Sequence, residues 1–98
     1  MRIELHPEAD NKFAAQVEYY EDRQAGLGQR FYREVLGCLE WIADHPTLPR
    51  LSKDHRRVNL KVFPFYVAYA VEGDLAWVLA VAHGHRRPGY WRNRLTGV

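Results

Sequence analysis

The spacing of hydrophobic residues along the chain predicts a strand followed by two helices. Ile3 and Leu5 alternate with polar neighbours, which indicates a short first strand. Pro7 suits the first position of a helix, and Gly26 and Gly28 interrupt the helical spacing that follows. The two helices are each marked by hydrophobic residues three or four positions apart: Ala9, Phe13, Val17 and Tyr20, then Phe31, Val35, Leu39 and Ile42.

The second half of the chain has the two-residue period of strands. The second helix should end near Asp44, because Pro46 disfavours helical geometry at the residue before it. Residues 46–55 are rich in proline and polar residues, so we expect a loop there. Alternating and β-branched residues then predict three strands, the last two joined by a hairpin turn: Val58 to Val62, Phe65 to Val71, and Leu75 to Ala82 after the turn Glu72-Gly73-Asp74.

This order of elements, β-α-α-β-β-β, predicts an α+β fold in one domain over residues 1–98. A helical hairpin should pack on one face of a small, mainly antiparallel sheet. The last two strands are apolar on both faces, which is typical of central strands. We expect the other sheet face to be open, with Arg57 and Lys61 near it, and we expect function there.

Composition narrows the class of protein. With 47% hydrophobic and 27% charged residues in a chain of 98, a disordered chain is excluded. No stretch approaches the ~20 apolar residues of a membrane span, and Met1-Arg2-Ile3-Glu4 does not open a signal peptide. Cys38 is the one cysteine, so no internal disulfide can form. We therefore expect a cytoplasmic protein without a membrane partner.

The small net charge of +2 hides an uneven distribution. Residues 1–49 carry five basic and nine acidic residues, a net charge of −4, whereas residues 50–98 carry nine and three, a net charge of +6. No acid follows Asp74, while four arginines do. Such asymmetry is typical of a protein with an anionic partner, although a solvated basic tail explains it equally well.

Three patches of residues occur in an order that covers nearly the whole chain. They are His6-Pro7-Glu8-Ala9, Gly28-Gln29-Arg30-Phe31, and Phe63 to Tyr69 with Val78 to His83, Arg86, Pro88, Tyr90-Trp91 and Arg94. Together they resemble the RelE/ParE superfamily, whose members are toxins of bacterial type II toxin–antitoxin systems and plasmid stabilisation proteins. The resemblance implies a cytoplasmic toxin. It also implies a cognate antitoxin, with an acidic and partly helical segment, that neutralises the toxin in a hetero-oligomer.

The superfamily has two toxic mechanisms, and one of them is inhibition of DNA gyrase by binding. His83-x-x-Arg86 directly after an apolar strand, followed by an arginine-rich tail, resembles the gyrase-directed branch more closely. The residues expected to contact the target are Arg86, Arg87, Tyr90, Trp91, Arg92 and Arg94. For Trp91, folding back onto the sheet is the alternative role, because large aromatic residues are more often buried.

The alternative mechanism is ribosome-dependent cleavage of messenger RNA, which needs a base, an acid and cationic groups. The residues that would serve are His83, Arg86, Tyr90, Arg57 and Lys61. Against this reading, Val67, Ala68 and Ala70 occupy strand positions where many of these nucleases carry basic residues. A member that has lost toxicity and only binds its antitoxin is a third possibility.

We expect no metal and no cofactor. His83 and His85 are spaced as a pair of ligands, but no cysteine, aspartate or glutamate follows to complete a site. Cys38 is expected to be a small buried hydrophobic residue, since no neighbour in sequence would lower its pKa.

Overall fold

The computed structural model describes residues 1–87 and 89–95. The predicted order β-α-α-β-β-β is confirmed. No helix in these two ranges is long and apolar enough to cross a bilayer. The elements are β1 (Arg2–Leu5), α1 (Pro7–Arg23), α2 (Leu27–Asp44), β2 (Arg56–Asn59), β3 (Phe65–Glu72), β4 (Leu75–His83) and a short 3-10 helix (Arg92–Leu95).

His6 is the residue that begins α1. Its Nδ1 accepts a hydrogen bond from the backbone N–H of Glu8 at 3.1 Å, and Pro7 takes the first helical position. A ring nitrogen thus satisfies one of the N–H groups that a helix start leaves free. Histidine is not among the residues preferred at this position, so the sequence pattern did not predict the cap.

The carboxylate of Glu21 closes the turn between the helices. Its two oxygens accept the N–H groups of Gly26 and Gly28 at 2.7 and 3.0 Å. The Gly26 bond is the main cause that lowers the pKa of Glu21, although burial acts in the opposite direction. Gly26 has a φ of +87°, which glycine adopts without the strain of a side chain.

At Gly28 the two helices touch, and no side chain fits there. A Cβ would lie closer than 3.0 Å to the Val17 carbonyl oxygen and to the Glu21 side chain. We expect Gly28→Ala to lower the free energy of unfolding by about 1–3 kcal/mol, because the packed helices would have to separate. At Gly37 a Cβ meets nothing within 4 Å. Gly37→Ala should therefore raise the free energy of unfolding by about 1 kcal/mol, because alanine has the higher helix propensity. Urea unfolding of both variants measures this, and equal stability of Gly28→Ala and wild type would contradict it.

The described strands form a sheet in the order β1-β4-β3-β2. β1 runs parallel to β4, and the other neighbours are antiparallel. β3 and β4 are central and buried on both faces, as their apolar sequences predict. The turn between them contains Gly73 at a φ of +60°, so the predicted hairpin is confirmed.

The helical hairpin covers one face of the sheet and forms the larger core. Aromatic rings of α2 and β3 meet at its centre, with the Phe31 and Phe65 centroids 4.8 Å apart. We call this face the helix side. Its buried members include Phe13, Phe31, Val35, Leu39, Ile42, Phe63, Phe65, Val67, Tyr69, Val78 and Val81.

The opposite face of the sheet is covered as well, so the expectation of an open face was wrong. The segment 89–95 folds back over it, and Trp91 is 2% exposed. We call this face the tail side. The small alanine side chains of the central strands leave room for the indole ring: the buried cluster is Tyr66, Ala68, Ala70, Trp77, Leu79, Ala80, Ala82 and Trp91.

Strand β2 is shorter than predicted. The alternating pattern predicts a strand to Val62, but β2 ends at Asn59. The reason is Glu34 of α2, whose carboxylate accepts the N–H groups of Lys61, Val62 and Phe63 at 2.8, 2.9 and 3.1 Å. These N–H groups are therefore not available to a neighbouring strand. Lys61 lies beside α2 instead of on the sheet.

Candidate functional site

The tail is fixed to the sheet through Arg94, a buried residue that is 4% exposed. Its Nη1 donates to the Leu79 carbonyl oxygen at 2.8 Å, and its Nε lies 3.2 Å from the Glu8 carboxylate. Its own carbonyl oxygen accepts from the Trp77 indole N–H at 3.4 Å. Arg94 therefore has a structural position, because a guanidinium buried between the sheet and Glu8 has little surface left for a partner.

Trp91 also has a structural position. Its indole N–H donates to the Tyr66 hydroxyl at 3.0 Å, beneath the tail. This is the alternative that the sequence left open, in which the ring folds back onto the sheet. We therefore leave Trp91 and Arg94 out of the candidate contact surface.

Arg86, which is exposed in the turn after β4, and Tyr90 of the tail segment 89–95 form a stacked pair. The Arg86 guanidinium carbon lies 4.1 Å from the centroid of the half-buried Tyr90 ring, and that of Arg94 lies 5.4 Å away. Burial raises the pKa of Tyr90, against the opposing effect of the two arginines. Its hydroxyl therefore stays a neutral hydrogen-bond donor, and Arg86 is held in a defined direction by the ring.

Two further cations, Arg57 and Arg92, lie on the same side of the sheet, and Arg87 follows Arg86 directly in sequence. The Arg57 guanidinium carbon is 3.9 Å from the Tyr66 ring centroid, and the Arg92 side chain is 44% exposed. Arg87 is exposed in the turn after β4. We define the basic surface as Arg57, Arg86, Arg87, Tyr90 and Arg92.

The five residues of the nuclease reading do not come together. The His83 ring packs edge-on against Phe65, with centroids 5.1 Å apart, on the helix side. Lys61 lines a groove beside α2. Arg57, Arg86 and Tyr90 lie on the tail side, so the sheet separates the histidine from these groups.

The groove beside Lys61 is apolar and lies between α2 and β2. Its volume is about 540 Å³, and we call it the apolar groove; its lining is Glu34, Gly37, Cys38, Trp41, Val58, Asn59, Leu60 and Lys61. Burial, with a smaller effect of Glu34, raises the pKa of the Cys38 thiol to about 11. Cys38 therefore stays a neutral, weakly nucleophilic side chain at physiological pH.

The predicted His83–His85 pair does not form part of a larger ligand set. Their ring centroids are 5.3 Å apart, and the His83 Nδ1 accepts the His85 backbone N–H at 3.1 Å. In the described ranges, no three histidine, cysteine or acidic side chains gather around a possible metal ion. Gly89 has the positive φ, +80°, that a type II turn needs; Pro88, the other residue of that predicted turn, lies outside the described residues.

A second cleft was not predicted. It lies on the tail side, has a volume of about 390 Å³, and we call it the basic cleft; its lining is Arg50, Ser52, His55, Arg57, Tyr66, Gly89, Trp91 and Arg92. One sequence signal could have indicated it. His55 and Arg57 are two residues apart, which places them on one face of an extended chain.

The comparisons with known proteins agree with this fold. The family described as "ParE toxin of type II toxin-antitoxin system, parDE" matches residues 3–88. Toxin ParE2 from two strains of Mycobacterium tuberculosis, CDC 1551 / Oshkosh and H37Rv, is 26% identical over 98% of this chain and 93% of the relative.

Structural comparison gives the same architecture. A solved structure described as a chromosomal ParDE TA system from P. aeruginosa superposes with a TM-score of 0.61 at 16% identity, over 85% of this chain and 95% of the other. At this identity the match supports the fold. Because the family match spans most of the residues, the chain belongs to the ParE toxins of type II toxin–antitoxin systems.

Proposed function

We propose that this ParE-family toxin arrests growth by binding DNA gyrase through the basic surface. The observation that carries the proposal is the Arg86–Tyr90 pair. Arg86 is exposed and stacked on Tyr90, while the tail beneath them is fixed by Trp91 and Arg94. Arginine and tyrosine on a rigid base lose little conformational freedom on binding and are enriched among the residues that dominate interfaces.

Binding fits the geometry better than catalysis of RNA cleavage. A nuclease needs its base, acid and cations within hydrogen-bond reach of one phosphate. Here His83 packs on the helix side, while Arg86 and Tyr90 lie on the tail side. A binding toxin needs a surface that its target can reach, and the arginines of the basic surface are exposed.

Growth arrest and gyrase supercoiling, measured on matched variants, test the proposal. We expect wild type to arrest growth and inhibit supercoiling, and Arg86→Gln to weaken inhibition about tenfold or more, as loss of a dominant interface arginine does. Arg33→Gln removes the same charge from an exposed position on α2, so it should act as wild type. Equal loss in both variants, or cleaved messenger RNA with normal supercoiling, would overturn the proposal.

The cognate antitoxin is proposed to dock an amphipathic segment into the apolar groove. β2 lies at an edge of the described sheet, where an added strand can bind its backbone groups. The groove beside it is lined by Trp41, Cys38 and Val58, and Trp41 is 38% exposed. Lys61 at its border can pair with an acidic residue of such a segment.

The same supercoiling assay distinguishes the two surfaces. Antitoxin should restore supercoiling in the presence of wild-type toxin. Trp41→Glu should inhibit gyrase normally but resist the antitoxin, because a carboxylate would replace an apolar wall of the groove. Full rescue of Trp41→Glu at the same antitoxin concentration would contradict this docking site.

A further inference from the structure

The basic cleft contains more positive charge than its surroundings neutralise. Three arginine residues line it, Arg50, Arg57 and Arg92. Among the described residues, one carboxylate contacts them: Asp54 Oδ1 lies 3.5 Å from Arg92 Nη1. A volume of about 390 Å³ lies within the range of small-molecule sites, about 300–1,000 Å³. The cleft therefore has both the charge and the space for a small anion.

His55 lies in the wall of the cleft and is 7% exposed. Its Nδ1 lies 3.1 Å from Asp54 Oδ1, and this hydrogen bond is the main cause that lowers the pKa of Asp54. An ionised carboxylate only accepts, so Nδ1 carries the proton. The other ring nitrogen, Nε2, has no hydrogen-bond partner within 1–87 and 89–95. His55 therefore contributes a polar ring nitrogen to the wall of the cleft, while the positive charge of the cleft comes from the three arginines.

The wall that carries His55 is held in place before any ligand binds. Ser52 and His55 exchange backbone hydrogen bonds of 2.8 and 3.2 Å. On the preceding part of the loop, Arg56 Nη1 donates to the carbonyl oxygens of Pro49 and Thr47 at 2.6 and 3.1 Å. The His55 ring also packs edge-on against Trp91, with centroids 4.7 Å apart. Such a fixed wall loses little conformational entropy on binding.

We propose that the basic cleft binds a phosphate monoester. A phosphate monoester carries a charge of roughly −1.5 to −2 and three acceptor oxygens near neutral pH, which matches three guanidinium groups opposed by one carboxylate. A carboxylate ligand would offer one charge and two oxygens. Guanidinium groups are suited to such oxygens because they donate in pairs. Arg57 already covers the Tyr66 ring, so the phosphate and not a stacked base is recognised.

Calorimetric titration of the purified chain at low ionic strength tests this site without gyrase. Adenosine monophosphate and inorganic phosphate should bind saturably, whereas adenosine should not. Comparison of two phosphate ligands then identifies the source of the phosphate. A 5′-phosphorylated oligonucleotide that binds more tightly than the monophosphate indicates a strand end, and equal or weaker binding indicates a free nucleotide.

Two variants test whether the phosphate binds in the basic cleft, and the second remains informative if the first does not fold. Arg57→Gln and Arg50→Gln should each weaken binding of the monophosphate roughly tenfold, as loss of a charged hydrogen-bond partner does. Arg50 lies in an exposed loop, so Arg50→Gln serves if Arg57→Gln unfolds. Arg33→Gln, outside the cleft, should bind as wild type. No saturable binding, equal binding of adenosine, or equal losses in Arg50→Gln and Arg33→Gln would overturn the proposal. The titration does not measure inhibition of supercoiling. The phosphate site and the gyrase proposal are therefore tested separately, and one can be wrong while the other is right.

Discussion

Trp91→Ala is expected to lower the free energy of unfolding by about 3–5 kcal/mol, the usual cost of removing a buried large aromatic side chain. Trp91 is 2% exposed and lies against the alanines of the two central strands. Those small side chains cannot close the space left by the indole ring. The tail would then lose the contact that holds it on the sheet, and the Arg86–Tyr90 pair would lose its rigid base.

Trp91→Phe separates the two contributions of the indole. It keeps most of the buried ring but removes the N–H that donates to the Tyr66 hydroxyl at 3.0 Å, so a loss of about 1–2 kcal/mol is expected. Chemical unfolding followed by circular dichroism gives both values. A loss below 1 kcal/mol in Trp91→Ala would mean that the tail does not cover the sheet in solution.

Glu34→Ala is expected to lower the free energy of unfolding by about 2 kcal/mol. Its carboxylate is the acceptor for three successive N–H groups after β2, at 2.8 to 3.1 Å. Hydrogen bonds to a charged acceptor are worth more than neutral ones, although exposed N–H groups recover part of the loss from water. Without this acceptor, residues 61–63 would lose their attachment to α2.

The contribution of Glu34 should depend on pH. Partial burial raises its pKa, but the N–H donors of Val62, Phe63 and Lys61 and the Lys61 charge outweigh it, so the pKa lies below its usual value. A lowered pKa in the folded state means that the stabilisation is complete above the unfolded-state pKa and is lost as the pH falls through the folded-state value. The stability difference between wild type and Glu34→Gln should therefore shrink as the pH falls from about 5 to about 3. A constant difference over this range would contradict the role of the charge.

Much of the fold was predictable because it depends on local periodicity. The three- and four-residue spacing from Ala9 to Tyr20 and the apolar run from Leu75 to Ala82 both indicated their elements correctly. The end of β2 was not predictable in this way. It depends on Glu34, a residue 25 or more positions earlier, whose carboxylate takes the N–H groups that a strand would use.

The candidate site was predictable only in part, for a related reason. Arginine content and the position of Arg86 after β4 are visible in the sequence. Which arginines are exposed depends on how the tail folds: Arg94 is 4% exposed, whereas the Arg92 side chain is 44% exposed. The basic cleft also requires three separate segments to meet, and the spacing of His55 and Arg57 indicates only one of them.

Supercoiling of relaxed plasmid by purified gyrase, titrated with the purified chain, tests directly whether this toxin inhibits gyrase. We expect loss of supercoiled product as the wild-type chain approaches the gyrase concentration, with Arg86→Gln requiring about tenfold more protein. Normal supercoiling in excess of folded wild-type chain would contradict it.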